Sequence, residues 1–414
     1  MIGLKKLVMK NDILVLKKLN LKLGILYLTI FFSTTLYVIF SPLKFIMVLL
    51  PAIVILFMLM QHLLMNNKII NIPILFIYVF YGLLSIPLFF LLSNVDYLYS
   101  PFIGFINIYL YLILWFFVFN TKYDFNYIFN NSIKLLLFVG FVMAIGALVQ
   151  YFISPTLFGM TANDIYAQDL SDKLNINKRA ISFISSPQSL SLFLAIVLIL
   201  GYYNIKNKII KIITLSLILF AGILTFSKVF VLVTISFIGV NILLNISFKN
   251  ILKLIFFMII LIFTFLNFAD SDRAFEIIYI LADLKSYVTF LIWIDFINYD
   301  TSLAQFLFGH GIGLISRASQ MIGEYQILNG SAESFLLQLY FETGLIGFLI
   351  FLSVYIKAII NFYTTDAYRK YSILLISFLP SLIGTPAFYG LTSNFILAFF
   401  LISGLVINKK RRAT

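Results

Sequence analysis

The chain has 414 residues, 62% of them hydrophobic and only 11% charged, with a mean hydropathy of +1.06. Ordinary globular domains carry about 25% charged residues. A water-soluble fold could not hide this much apolar surface, so an all-α polytopic membrane protein is the expected class. There is no cysteine, which excludes disulfides and thiolate chemistry, and the two histidines, His62 and His310, are too far apart in sequence to suggest a histidine-rich metal centre. The net charge of +13 is distributed along the chain in a way that fits membrane topology rather than nucleic-acid binding.

Residues 1–22 set Lys5, Lys6, Lys10, Lys17, Lys18 and Lys22 among leucines. They read as a basic amphipathic segment on the inner membrane surface. A signal peptide fits less well, because no small-residue cleavage site follows the long apolar run. A span needs about 20 apolar residues. On that rule about twelve spans are predicted: 23–40, 44–60, 69–92, 101–119, 133–153, 187–204, 209–226, 229–245, 251–268, 334–356, 372–389 and 391–407. Spans one to nine thus occupy 23–268, spans ten to twelve occupy 334–407, and 408–414 is a basic cytoplasmic tail.

The charges test this order. With the N-terminus inside, the inner turns hold Lys68, Lys122, Lys134, Lys206, Lys208, Lys211, Lys249, Lys253, Lys357, Arg369 and Lys370. Most acids fall outside. The bias predicts two cytoplasmic termini. Two outer segments are long: 154–186, and the large outer or periplasmic loop 269–333 between spans nine and ten. Within the second, Leu284 to Phe308 is semi-apolar and suits a helix lying on or closing over the core.

The outer segments hold most of the residues that could carry chemistry. Arg179 precedes Ser182-Phe183-Ile184-Ser185-Ser186-Pro187 at the mouth of a span. A guanidinium fixed there suits bidentate phosphate binding, or it is an interfacial arginine that snorkels to headgroups. Thr225-Phe226-Ser227-Lys228 joins two spans with almost no loop, and a cation at an outer hairpin runs against the positive-inside trend. Arg273, Lys285 and Arg317 complete the outer cations, each able to pair with nearby acids. Phe308-Gly309-His310-Gly311-Ile312-Gly313 is no dinucleotide fingerprint, since it lies in an outer loop without a preceding strand. Its glycines suit a sharp turn and close backbone approach to a ligand. His310 reads as a locally hydrogen-bonded loop residue rather than a catalyst, and is a candidate substrate contact.

A polar loop then turns into a long apolar helix at Asn329-Gly330-Ser331-Ala332-Glu333-Ser334. Ser331 is a candidate cap, with Glu333 an acid in the first turn. Nine residues on, about 13 Å deeper along a helix, stands Glu342. An acid at that depth needs a partner or an aqueous cavity, which makes it a functional candidate; the competing reading is a buried structural Glu bonded to Tyr or to a lysine such as Lys228.

The order Glu333-Ser334, then leucine, then Glu342-Thr343-Gly344-Leu345-Ile346-Gly347 resembles the C-terminal motif of bacterial O-antigen and capsule repeat-unit polymerases (Wzy type). The related O-antigen ligases share it, usually with His-Asn where this chain has Glu333-Ser334. Arg179 before the span mouth and Lys228, where the family typically has Ser-Arg, extend the resemblance over roughly 179–347. The resemblance implies a GT-C-like, metal-independent and cofactor-free glycosyltransferase in the bacterial inner membrane. It would move a growing glycan from undecaprenyl diphosphate onto a lipid-linked acceptor repeat unit, with inversion. Glu333 would be the catalytic base with Arg179 beside it, and Lys228, Arg273, Lys285, His310, Arg317 and Glu342 would contact lipid diphosphate or glycan. Its partners would be the undecaprenyl-diphosphate-linked oligosaccharide, the bilayer and, as a further candidate, a chain-length regulator protein; no nucleic acid is implied. A ligase of the same superfamily and a lipid-linked oligosaccharide flippase are the alternatives.

Overall fold

The computed structural model describes residues 72–92, 100–120, 125–153, 187–244, 301–314, 334–385, 387–389 and 391–411, together with Ala180, Ser182, Ser186, Leu252, Ile255, Phe256, Ile259 and Ile294. Among these every element is helical. In chain order they are α1 (Pro73–Leu92), α2 (Ser100–Phe105) running through a π-helical turn (Ile106–Leu110) into α3 (Tyr111–Phe119), and α4 (Phe125–Phe152). Then come α5 (Pro187–Asn204), α6 (Lys208–Ile223), α7 (Lys228–Leu244) and the short α8 (Leu303–Phe308). The last three are α9 (Phe335–Tyr363), α10 (Arg369–Gly384) and α11 (Leu391–Arg411), with short 3-10 turns before and after α10.

Four of them, α1, α4, α5 and α9, are long and apolar enough to cross a membrane. The chain is therefore a helical protein with several membrane-spanning segments. The expected span 187–204 is α5 to the residue. Others differ at their ends. The span expected at 133–153 begins at Phe125, because Phe125 and Phe129 pack on Tyr368 and so extend the helix past its polar start. The span expected at 334–356 runs on to Tyr363, and 372–389 stops at Gly384. Spans 23–40 and 44–60, most of 251–268, and most of the segments 154–186 and 269–333 lie outside the described residues.

Two helices form the centre. Along α5 nearly every residue from Ser189 to Gly201 is buried, and along α11 every residue from Ser393 to Ile407 is. Helices apolar all round are core elements. The first helix packs against α4, α6 and α7; the second against α3 and α9. An aromatic seam closes the second group. Trp115 Nε1–H donates to the Phe395 carbonyl at 3.0 Å, and its ring centroid lies 4.7 Å from that of Phe399. Phe129 continues the seam, 5.2 Å from Phe399 and 4.8 Å from Tyr371. Such pairs are worth about 0.5–1.5 kcal/mol each beyond burial. Between spans there is little hydrophobic gain, so close approach matters more. At Gly140 a Cβ would stand 2.4 Å from Val197 of α5.

Contacts join like ends of the helices. Asn204, at the end of α5, meets Lys370 and Tyr371 at the start of α10. At the opposite end, the start of α9 meets the end of α10, where Phe335 N–H donates to the Thr385 carbonyl at 3.0 Å.

Candidate functional site

The apolar run of α9 reads as one helix, yet it is broken. Gly344 has φ 66° and ψ −175°, a conformation essentially restricted to glycine. Three successive carbonyls just before it accept from donors outside the helix. The Phe341 carbonyl accepts from His310 N–H at 2.9 Å and the Glu342 carbonyl from Gly311 N–H at 3.2 Å. The Thr343 carbonyl accepts from the Tyr81 hydroxyl of α1 at 2.5 Å. At membrane depth irregular backbone persists only where protein groups satisfy it, and here a loop and a tyrosine do so.

The loop is delivered by α8. Ser302 and Gln305 form a reciprocal capping box that fixes its start. The chain then turns through Gly309, Gly311 and Gly313, all at positive φ. These glycines allow a close approach to the chain itself. A Cβ on Gly309 would stand 2.3 Å from the Glu342 carbonyl oxygen, and one on Gly311 would stand 2.4 Å from the Phe89 ring.

His310 is carried into this joint and is only 4% exposed. Its ring lies flat on Phe341, with centroids 3.9 Å apart and planes at 6°. Its Nδ1 is 3.3 Å from the Phe341 carbonyl, which can only accept, so the contact is a hydrogen bond in the form that carries a proton on Nδ1. Burial holds the imidazole below its ordinary pKa, with the Phe341 hydrogen bond opposing. The expected local hydrogen bond thus reaches 31 residues along the chain. Glu342 is fully buried, and its Oε1 accepts from Gln338 Nε2 at 3.0 Å, one turn earlier. Tyr109, from the π-helical turn, lies within its electrostatic reach. The glutamine at i−4 is a partner that the sequence reading, with its Tyr or Lys228, did not name.

A second joint gathers the span mouth and the hairpin. Ala180, the residue after Arg179, donates its N–H to the Leu224 carbonyl at 3.2 Å, at the end of α6. Ser182 sits at φ 49°, its N–H donating to Gln150 Oε1 at 2.7 Å and its hydroxyl to the Met143 carbonyl at 2.9 Å, both on α4. Ser186 then adopts the extended backbone of an N-cap and Pro187 opens α5, its fixed φ ready-made for a first helical position. In the hairpin Phe226 has φ 45° and its ring neighbours that of Tyr151, the residue after Gln150. Two non-glycine residues in the left-handed region thus flank the end of α4. Such strain costs about 1–3 kcal/mol at each and clusters where function fixes geometry. Ser227 lies 3.0 Å from the Ser191 hydroxyl and accepts from Val229 N–H, which caps α7 and sets the half-buried Lys228 at its first turn.

The start of α9 lies at the same end of the bundle. Ser334, not Ser331, is the N-cap: its backbone is extended and its hydroxyl accepts from Leu337 N–H at 3.2 Å. The first turn accordingly holds no acid. The cap is tied to α10 through Phe335 and Thr385, and Gly384 faces Leu232, one turn into α7 from Lys228. Lys228, His310 and Glu342 are therefore described; Arg179, Arg273, Lys285, Arg317 and Glu333 lie outside the described residues. Sequence reasoning missed Tyr81, Gln150 and Gln338. Only Gln338 left a signal, a polar residue one turn from Glu342 in an apolar run. Among the described residues no group of acids and histidines could hold a metal ion.

No protein-family model matches this chain, and no curated protein matches it either.

Proposed function

We propose that the chain is a repeat-unit polymerase of surface polysaccharide, of about twelve spans and GT-C-like, with its site at the outer face of a bacterial inner membrane. The observation that carries this reading is the gathering of three places at one end of the bundle: Ala180 and Ser182 with the start of α5, the Thr225–Lys228 hairpin, and the start of α9. These hold or adjoin Arg179, Lys228 and Glu333, the residues that the resemblance needs together. The long-range ties of Ala180 and Ser182 and the two left-handed residues support a joint held for function.

The chemistry follows from the groups. An acceptor-sugar hydroxyl attacks the anomeric carbon of the growing glycan, and the bond from that carbon to the lipid diphosphate oxygen breaks. Glu333 takes the hydroxyl proton. The electron pair leaves with the diphosphate, whose charge Arg179, Lys228 and the further outer cations Arg273, Lys285 and Arg317 stabilise. Attack opposite the leaving group inverts the configuration.

One observation favours a second reading, a lipid-linked oligosaccharide flippase. Discontinuous helices with a buried acid are where transporters bind substrate, and α9 breaks next to Glu342. Deleting the gene and resolving surface polysaccharide on a gel separates the two. Loss of a polymerase leaves lipid A core bearing one repeat unit; loss of a flippase, or of a ligase, leaves none.

A further inference from the structure

The mouth of α5 holds hydrogen-bond donors that the described chain does not use. The first N–H groups of any helix have no partner inside it, and a buried helix start normally supplies one from its cap. Asn207 does this for α6 and Ser334 for α9. Ser186 stands at the N-cap of α5, yet its hydroxyl caps nothing, and Pro187 at the first position has no N–H. The Leu190 N–H goes to the Ser186 carbonyl. Among the described residues the N–H groups of Gln188 and Ser189 meet no acceptor.

Two side chains add to this turn. Ser186 is 9% exposed and Ser189 8%, and neither hydroxyl has a hydrogen-bond partner among the described residues. Ser191 differs, with its hydroxyl 2.7 Å from the Gln188 carbonyl. Helical side chains lean toward the N-terminus, so the Ser189 hydroxyl is directed at the same first turn as the two N–H groups. Four donors thus converge on the start of one helix.

The surroundings are positive. α7 runs parallel to α5: Ser227 Oγ lies 3.0 Å from Ser191 Oγ near their starts, and Tyr203 donates to Asn241 Oδ1 at 3.3 Å near their ends. Each N-terminus carries about half a positive charge, and the two lie side by side. Neither first turn holds an acid, and α7 opens with Lys228. A lysine at the start of a helix opposes the dipole, an arrangement that an anion between the two starts would offset.

We propose that the first turn of α5 is a binding site for a phosphate group of the lipid diphosphate, which the N–H groups of Gln188 and Ser189 and the hydroxyls of Ser186 and Ser189 hold by donating to its oxygens. The assignment rests on the polymerase reading above and adds to its cations a set of fixed neutral donors.

Ser186→Asp separates this role from a structural one. Its carboxylate would cap the Gln188 and Ser189 N–H groups itself, which strengthens a helix start and blocks an anion. The test is native mass spectrometry of the purified full-length protein titrated with undecaprenyl diphosphate, undecaprenol or inorganic pyrophosphate. The wild-type protein is expected to bind undecaprenyl diphosphate at least about tenfold more tightly than undecaprenol, the scale of one hydrogen bond to a charged group. Pyrophosphate should bind more weakly than the lipid diphosphate. Ser186→Asp should keep or raise the thermal midpoint of the lipid-free protein and remove most of the preference. Ser186→Ala with Ser189→Ala should weaken the preference by loss of the hydroxyl donors alone. Asn207→Asp makes the same charge change at the N-cap of α6, at the other end of the bundle, and should keep it. A preference that survives both Ser186→Asp and the double alanine variant overturns this site and leaves the polymerase reading standing. A wild-type protein that binds undecaprenol as tightly as undecaprenyl diphosphate overturns both. Pyrophosphate bound as tightly as the lipid overturns the assignment to a lipid-linked phosphate.

Discussion

Gly344 and Gly309 meet backbone to backbone: a Cβ built on Gly344 would stand 2.4 Å from the Gly309 nitrogen. This contact is the seam between the break in α9 and the loop that satisfies it. Gly344→Ala would add both a clash with main chain and the strain of a side chain at φ 66°. Strain of that kind alone costs about 1–3 kcal/mol. The variant should unfold at markedly lower temperature in detergent. Gly239→Ala is the control, since nothing lies within 4 Å of its Cβ. An alanine in a helix interior should be neutral or stabilising there by about 0.5–1 kcal/mol. Equal thermal midpoints for the two variants would contradict the seam.

Glu342 tests the same region from within. Its Oε1 accepts from Gln338 Nε2, and leaving a buried polar group without such a partner costs about 1–3 kcal/mol. Gln338→Leu should therefore destabilise the protein by about that amount, as read by thermal or denaturant unfolding. Glu342→Gln keeps a polar pair one turn apart and should cost less. A Gln338→Leu protein as stable as wild type would show that the pair carries no weight.

His310 gives a pH signature. Burial lowers its pKa in the folded state below the ordinary value of about 6.5, so over the window between the two values the unfolded chain binds more protons. Stability is then full above that window and falls as pH drops through about 6.5. Between pH 7.5 and 5.5 the wild-type midpoint should decline more steeply than that of His310→Phe, which keeps a ring against Phe341 and cannot titrate. Parallel slopes would contradict a buried neutral imidazole.

Much of this fold is legible because apolar run length is a direct readout of bilayer thickness; α5 is the cleanest case, matching its expected bounds. The start of α4 is not, because Asn126, Asn130 and Asn131 look like loop until Phe125 and Phe129 find Tyr368 across the bundle. The break in α9 is invisible along its own sequence. It depends on donors from Tyr81, His310 and Gly311, which no local pattern connects to Gly344. The glycine loop showed that backbone would come close to something; only the fold shows that it is Glu342. In the same way Arg179 and Lys228 stood out as cations, while the tie between Ala180 and Leu224 needed the third dimension.

Arg179 tests the anion chemistry of the proposed function. A planar guanidinium grips phosphate bidentately and an ammonium does not. Arg179→Lys should lose most polymer in cells although its charge is kept, and Arg179→Ala should lose at least as much. Full-length polymer from Arg179→Ala at normal protein level would remove the residue from the mechanism.

Glu333 carries the central claim. Substitution by Gln keeps shape and removes the base, and because α9 is capped by Ser334 the helix start does not depend on it. General base catalysis contributes about 10²–10⁴-fold. In a deletion strain complemented with Glu333→Gln at wild-type abundance, the polysaccharide gel should collapse to lipid A core bearing a single repeat unit. A wild-type polymer ladder from that strain would contradict the account.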